Sequence, residues 1–414
     1  MTSVITIAES PFGFCKGEYM LVSLALVFLF GSFFGSLLQK LKLPGLLGML
    51  IAGIVLGPSV LNVLDESLLS LSDNLRRIAL VVILMRAGLS LNAGDLKKAG
   101  RPALLLCFVP AAFEIAGMLI VAPVLLSVSL LDAAILGTVI AAVSPAVIVP
   151  KMIKLQEEGY GSANRIPQML LAGASVDDIF VIVLFTIATD IALGGTASWA
   201  TLLNVPISVV SGIAAGGATG ALLSVFFAKV HVRDTAKVLI LLSVSFLLLG
   251  AEQAVKAYVP FSALLAVMSC GMALLRFRPP VARRLAVKFS KLWVGAEVVL
   301  FVLVGAGLDA SYALQAGGAV VALIAAVLVF RMIGVAVCVV GTHLSVRERL
   351  FCMIAYIPKA TVQAAIGALP LSMGLACGNI VLTVAVVSIL ITAPLGSFLI
   401  DRTYKRLLPH DREN

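Results

Sequence analysis

Charge is what this chain has least of. Aspartate, glutamate, lysine and arginine make up 12% of its 414 residues, about half the share of a water-soluble domain. That scarcity excludes a soluble globule. Histidine is rarer still, with three in the chain. His231, His343 and His410 all fall in polar connections and read as solvated surface, so no histidine proton relay is expected. The six cysteines (Cys15, Cys107, Cys270, Cys338, Cys352, Cys377) are scattered through mostly apolar runs with no CxxC spacing, which argues against a disulfide or metal framework. No cofactor is expected. The first 19 residues carry Glu9, Lys16 and Glu18 and lack the basic start and small-residue cleavage site of a signal peptide. The first apolar run is therefore expected to stay as a span.

What the chain has instead is hydrophobic length, with 61% hydrophobic residues and a mean hydropathy of +1.13. At about 20 residues per crossing, its length gives an all-α polytopic membrane protein without a large soluble domain. Polar or Gly/Pro-rich breaks delimit thirteen spans: 20–39, 44–61, 78–93, 102–127, 131–150, 166–193, 199–228, 238–254, 258–275, 292–308, 313–341, 350–370 and 379–400.

Basic residues test the count, because Lys and Arg accumulate in cytoplasmic loops. Loops after odd-numbered spans, with the C-terminal tail, hold 23 of the 30 basic residues. The other side holds four: Lys16, Arg76, Arg77 and Lys256. An error of one span would scramble this alternation. It places the N-terminus outside and the C-terminus in the cytoplasm, and it accounts for the +9 net charge without a nucleic-acid partner.

The two halves resemble each other. LVVILMRAGLSLNAGDL (80–96) is similar to VVLFVLVGAGLDASYAL (298–314), with Gly88 on Gly307 at an offset of 219. Pro44 pairs with Pro260 at 216 and Pro145 with Pro358 at 213. Three landmarks in one order imply a repeat of six spans, 1–6 and 8–13. Seven span positions separate the copies, so the second enters from the opposite side and the repeats are inverted. Such architectures bind their cargo near the midplane, where interrupted helices of the two halves meet. The interruptions are expected in SPAVIVP, with Ser144, Pro145 and Pro150, and in IPKATVQAAIG, with Pro358, Lys359 and Thr361. A proline frees a carbonyl and clashes with the preceding turn, and non-helical backbone at membrane depth survives only inside protein or a wet cavity. Crossed broken helices follow from that.

An ionised group at the bilayer centre costs about 2.5–3.5 kcal/mol, yet seven lie well inside spans: Arg86, Glu114, Asp177, Asp178, Glu297, Arg331 and Lys359. Asp177 and Asp178 sit mid-helix in LLAGASVDDIFVIVLF. Neighbouring carboxylates titrate as a coupled pair. Such a pair can hold a proton or offer hard oxygen ligands to a small dehydrated cation, so proton and cation would compete for one site. That competition is a chemical basis for obligatory exchange. Glu114 and Arg331 lie 217 residues apart, within the repeat offsets, and read as a salt bridge between equivalent helices. Arg331 stays charged in any realistic setting. Lys359 is placed to offset helix dipoles at the break or to compensate a carboxylate. Arg86 and Glu297 read as structural or cavity-lining, with no partner assigned.

These same segments, SPAVIVPKMIKLQEEGYG, AGASVDDIFVIVLF, FRMIGV, and YIPKATVQAAIG with SILITAPLGS, resemble the monovalent cation:proton antiporter superfamily, most of all its NHA-type sodium/hydrogen exchanger branch. The likeness runs over spans 3–13. It implies a six-helix ion-binding core (102–193 and 313–400) that moves against a dimerisation domain (20–93 and 238–308) like an elevator, with 199–228 as a linker helix. It also implies a homodimer in the cell inner membrane surrounded by lipid. It would make Asp178 the principal carrier of cation and proton, assisted by Asp177, with Glu114 and Arg331 at the family's acidic and basic positions. Some relatives carry lysine where Arg331 stands, and there it takes part in proton coupling. Arginine removes that option and leaves the stoichiometry open. The expected activity is exchange of Na+ or Li+ for H+. The alternative is organic-anion/sodium symport on a related fold. An intramembrane aspartyl protease is disfavoured, because its two aspartates must come from separate helices.

Overall fold

The computed structural model describes residues 16–41, 43–90, 93–194, 199–255 and 261–410. Among these residues every regular element is a helix, eighteen in all, and an isolated bridge joins Tyr160 to His410. Helices dominate because lipid offers the backbone no hydrogen-bond partners, so each segment must satisfy its own.

The first three spans are α1 (Lys16–Lys40), α2 (Gly45–Leu56) and α4 (Ser72–Ser90), with one turn of helix, α3 (Glu66–Ser70), between the last two. The fourth is divided into α5 (Ala93–Leu106) and α6 (Val109–Leu126). The fifth is divided into α7 (Leu130–Ile140) and α8 (Pro145–Glu157). Six spans follow as single helices: α9 (Ile166–Ala192), α10 (Trp199–Lys229), α11 (Asp234–Val255), α12 (Ala263–Phe277), α13 (Pro279–Ala306) and α14 (Ala310–Val339). The twelfth breaks into α15 (Val346–Ala355) and α16 (Thr361–Ile366), followed by the short α17 (Leu369–Ser372), and α18 (Gly378–Leu407) is the last. Among the described residues, eight helical stretches are long and apolar enough to cross a membrane by themselves. Spans such as α2, α12 and α15/α16 are shorter because protein surrounds them, and most of their residues are buried.

The repeat is visible in the capping chemistry. Ser129 and Asp132 close a capping box at the start of α7, and Ser345 and Glu348 close another at the start of α15, each pair 216 positions from its counterpart. The same relation holds between the helix restarts, N-capped by Ser144 and Ala360. Pro145 and Pro358 are therefore not equivalent, contrary to the 213 offset. Pro145 opens α8, whereas Pro358 lies in the break ahead of α16. In the preceding helices the register is 217. Gly271 of α12 lies against Gly88 of α4, and Gly305 of α13 lies against Ile54 of α2. The partner of Gly88 is thus Gly305 rather than Gly307. Pro260, the partner assigned to Pro44, lies outside the described residues, as do Cys15 and Lys256.

Contacts between connections keep one parity. Loops after odd-numbered spans meet each other: Asn164 donates to Glu348 at 2.6 Å, Arg284 pairs with Asp234 at 2.8 Å, and Gly161 N–H donates to Pro409 at 3.0 Å. Loops after even-numbered spans do likewise: Ser59 donates to the Leu308 carbonyl at 2.8 Å and Ser372 to Asp73 at 3.3 Å. Two sides of a membrane are thus defined. His410 is not a bare surface group, because its ring stands edge-on to Tyr160 with centroids 4.8 Å apart.

Two sets of helices pack mainly among themselves. In one, α13 lies on α2 and α4, α4 on α12, and α12 on α10. In the other, α6 lies on α14, α5 and α7 on α9, and α15 on α18. Where α4 crosses α12 the backbones touch. A Cβ on Gly88 would sit 2.2 Å from the Met268 carbonyl oxygen, and one on Gly271 would sit 2.8 Å from the Leu89 nitrogen. Backbone cannot swing aside as a side-chain tip can. Gly271→Ala is expected to destabilise by about 1–3 kcal/mol, read as a lower melting temperature in detergent. Gly217→Ala, where a Cβ meets nothing within 4 Å, is expected to leave it unchanged.

Candidate functional site

Proline sets both interruptions. Pro145 disfavours helical backbone at the residue before it, and Ser144 is extended at φ −91, ψ 108, so α7 stops at Ile140. Pro358 acts in the same way on Ile357, stopping α15 at Ala355. The breaks cross and touch: the Ser144 N–H donates to the Pro358 carbonyl at 2.9 Å.

Each stop strands backbone groups in an apolar interior, and polar side chains take them up. The Ile140 carbonyl accepts Lys359 Nζ at 2.7 Å and Gln363 Nε2 at 3.0 Å. Ala142 accepts Gln363 Nε2 at 2.8 Å. Ala141 accepts Arg331 Nη1, and the Tyr356 carbonyl accepts Arg331 Nε at 2.7 Å. On the donor side, Val143 N–H gives to Asp177 Oδ2 at 2.7 Å and Lys359 N–H to Thr392 at 3.1 Å. Cations thus stand at the negative C-terminal ends of both α7 and α15, the placement a helix dipole favours.

These cations are also paired. Arg331 Nη1 lies 2.7 Å from Glu114 Oε2, and its Nη2 lies 3.3 Å from Asp177 Oδ2. Lys359 Nζ lies 2.7 Å from Glu114 Oε1. Glu114, Asp177, Arg331 and Lys359 have 0% exposure. Asp178, next to Asp177 on α9, is only partly buried, and no ion pair reaches it among the described residues. Asp177 Oδ1, Asp178 Oδ1 and Ser144 Oγ have no hydrogen-bond partner. Five ionisable groups therefore make two cations and three carboxylates, with Asp178 the one carboxylate left without a countercharge.

Nearly all of the residues singled out in the sequence meet at the crossing. Glu114, Asp177, Arg331 and Lys359 form one network, while Ser144, Pro145, Pro358 and the buried Thr361 build the two breaks. Pro150 does not belong there. It lies inside α8, exposed on a cavity wall, because Pro145 has already ended α7. Arg331 does more than bridge two helices, since it also closes two carbonyls and reaches Asp177. Gln363, Tyr356 and Thr392 were overlooked as site residues. The readable signal for Gln363 and Thr392 was an uncharged polar group inside an apolar run, whereas Tyr356 contributes its backbone carbonyl and a ring whose centroid lies 5.5 Å from the Arg331 guanidinium carbon.

A cavity of about 460 Å³ separates the two helix sets. Gln39, Pro44 and Glu297 line one wall, and Ala146, Val147, Lys151 and Asp401 line the other. Its mouth lies on the side of the odd-numbered loops, where Lys151 pairs with Asp401. Its depth reaches the first turn of α8, directly after Ser144. No cluster of three or more His, Cys, Asp or Glu able to hold a metal ion occurs among the described residues.

A multi-pass helical bundle with inverted repeats, two crossed helix breaks and carboxylates beside them defines a secondary transporter. The comparisons narrow the class. The family model for the sodium/hydrogen exchanger, transmembrane, matches residues 24–405. Human sodium/hydrogen exchanger 9B2 is 35% identical over 399 residues, covering 90% of this chain and 72% of the relative. Human sodium/hydrogen exchanger 9B1 is 31% identical over 389 residues, covering 88% and 74%. The sodium proton antiporter MjNhaP1 from Methanocaldococcus jannaschii superposes with a TM-score of 0.83 at 17% identity, covering 95% of this chain and 99% of the other. This chain belongs to the sodium/hydrogen exchanger family.

Removing one partner from a buried charge network leaves the other uncompensated, at a cost of about 3–5 kcal/mol. Arg331→Gln and Glu114→Gln are each expected to lower the melting temperature, with the double variant losing less than the sum of the two. Strict additivity would rule out a direct pair. Arg331→Lys is expected not to restore stability, because one ammonium cannot span Glu114, Asp177 and the Ala141 and Tyr356 carbonyls together.

Proposed function

We propose that the chain exchanges Na+ or Li+ for H+ at Asp178, with Asp177 as the second oxygen donor and the cation bound as cargo. The observation that carries this is the charge count at the crossing. Glu114, Asp177, Arg331 and Lys359 compensate one another, while the partner-free oxygens of Asp178, Asp177 and Ser144 suit a small hard cation. Asp178 then carries either a proton or a cation, and the site is neutral with either. Exchange of one for one would move no net charge.

The packing of the two helix sets supports an elevator-like cycle in which α5–α9 and α14–α18 shift against α1–α4 and α11–α13, with α10 as linker. The excess of basic residues on the odd-numbered loops supports a cytoplasmic C-terminus and an external N-terminus in the cell inner membrane. A homodimer in lipid rests on the family resemblance. Nothing at the crossing favours transport of an organic anion, because the guanidinium and ammonium are both taken up by carboxylates and carbonyls. The reading is of a transporter, not an enzyme.

Reconstituted vesicles are expected to show Na+- or Li+-dependent pH changes that Asp178→Asn abolishes. Because proton and cation occupy one carboxylate, the half-saturating Na+ concentration should rise about tenfold for each pH unit lowered once protonation dominates, with the maximal rate preserved. A half-saturating concentration that does not vary with pH would rule out a shared site. Clamping the membrane voltage is expected to leave the flux unchanged. K+ and organic-anion gradients run in parallel should drive no proton movement if the ligand set selects small cations.

A further inference from the structure

Glu297 and Arg86 lie away from the crossing, and the exchange reaction as described does not use them. Glu297 projects from α13 into the 460 Å³ cavity, where it is the one acidic residue on the wall built by α1, α2 and α13. The other acid lining the cavity, Asp401, is already paired with Lys151 on the opposite wall. Arg86 on α4 is the charge Glu297 senses, yet the two form no ion pair. The carboxylate is therefore partly offset from behind and open in front. Across the cavity stand Ala146 and Val147, in the first turn of α8. The two residues that open this half-helix site are Val143, whose N–H holds Asp177, and Ser144, whose hydroxyl has no partner. A cation entering from the mouth meets Glu297 on one wall before it reaches the carboxylates beyond the other.

We propose that Glu297 is a docking carboxylate for the incoming monovalent cation, a transient site on the wall opposite the crossing, and that Arg86 sets how tightly it holds. A lone carboxylate in a cleft with low-dielectric walls concentrates counterions and raises the encounter rate. Full pairing with Arg86 would cancel that field, and complete exposure would screen it. The half-compensated arrangement lets the cation be drawn in and released again. The inference rests on the exchange reading above and assigns a separate step to a separate helix set.

The two charges should then act in opposite directions, which a purely structural pair would not do. In vesicles with one known orientation, Glu297→Gln is expected to raise the half-saturating Na+ concentration about three- to tenfold on the face bearing Lys151 and Asp401. The opposite face should not change, and the maximal rate should fall less than twofold. Arg86→Gln is expected to lower the same constant, and Glu297→Asp to keep it near the wild-type value. If Glu297→Gln folds poorly, the double variant Arg86→Gln/Glu297→Gln removes both partly buried charges together and should still show the raised constant. Shifts of the same sign for both single variants, or equal shifts on both faces, would overturn the proposal. So would a wild-type constant in the double variant. Wild-type exchange that is silenced by Asp178→Asn in the same vesicles separates failure of this step from failure of the exchange reading, whose loss would take both.

Discussion

Arg331 sits where two helices that enter from opposite sides both stop. A helix that ends inside an apolar bundle leaves carbonyls with no water to accept from, and each unsatisfied group costs roughly 1–3 kcal/mol. The guanidinium has five donors in a rigid plane. Arg331 spends them on the Ala141 and Tyr356 carbonyls and on Glu114 and Asp177. Lys359 and Gln363 cover Ile140 and Ala142. Without these groups the crossing would have to refold into continuous helix. The interruption that frees Val143 to hold Asp177 would then be lost.

The same arrangement explains why the carboxylates differ. Glu114 faces two cations and is committed to structure. Asp177 is shared between Arg331 and a backbone N–H, so one of its oxygens is fixed and the other is without a partner. Asp178 is one residue further along α9, turned about 100° from its neighbour, and it takes no part in the ion pairs of Arg331 and Lys359. Proximity in sequence therefore does not give the two aspartates equal environments. Their different surroundings come from the helix period meeting an arginine fixed on another helix.

Much of this was legible before any coordinates, and what was not has physical reasons. Thirteen spans followed from hydropathy and from the parity of basic residues, because lipid imposes both patterns along the chain itself. The repeat was legible only approximately. In the sequence Gly88 aligns on Gly307 rather than Gly305 because both copies read Ala-Gly-Leu there, and Pro358 aligns on Pro145 although one proline precedes its half-helix and the other begins it. The capping boxes Ser129/Asp132 and Ser345/Glu348 would have given 216 directly, since Ser-x-x-Asp/Glu marks a helix start. Pro150 was misread because a proline within an apolar run looks the same whether it breaks the helix or rides in one already begun. Arg331's bonds to carbonyls left no trace in the sequence, as backbone acceptors carry no residue signature.

The asymmetry of the cavity constrains what motion the fold permits. On the side of the even-numbered loops the two helix sets touch: α16 packs on α4 and α13, and Ser372 reaches Asp73. On the other side about 460 Å³ of space intervenes, and the ion pair at its mouth, Lys151 with Asp401, joins α8 to α18 within one set. That pair can persist while the sets move, whereas the Ser372–Asp73 contact cannot. Opening the closed side thus requires breaking few polar contacts, one of them a 3.3 Å hydrogen bond between exposed groups. The network around Arg331 lies wholly within the set that carries Asp177 and Asp178, so it need not be dismantled. A rigid displacement that carries the crossing intact is therefore favoured over local gating at the breaks, where any rearrangement would expose the carbonyls that Arg331, Lys359 and Gln363 satisfy.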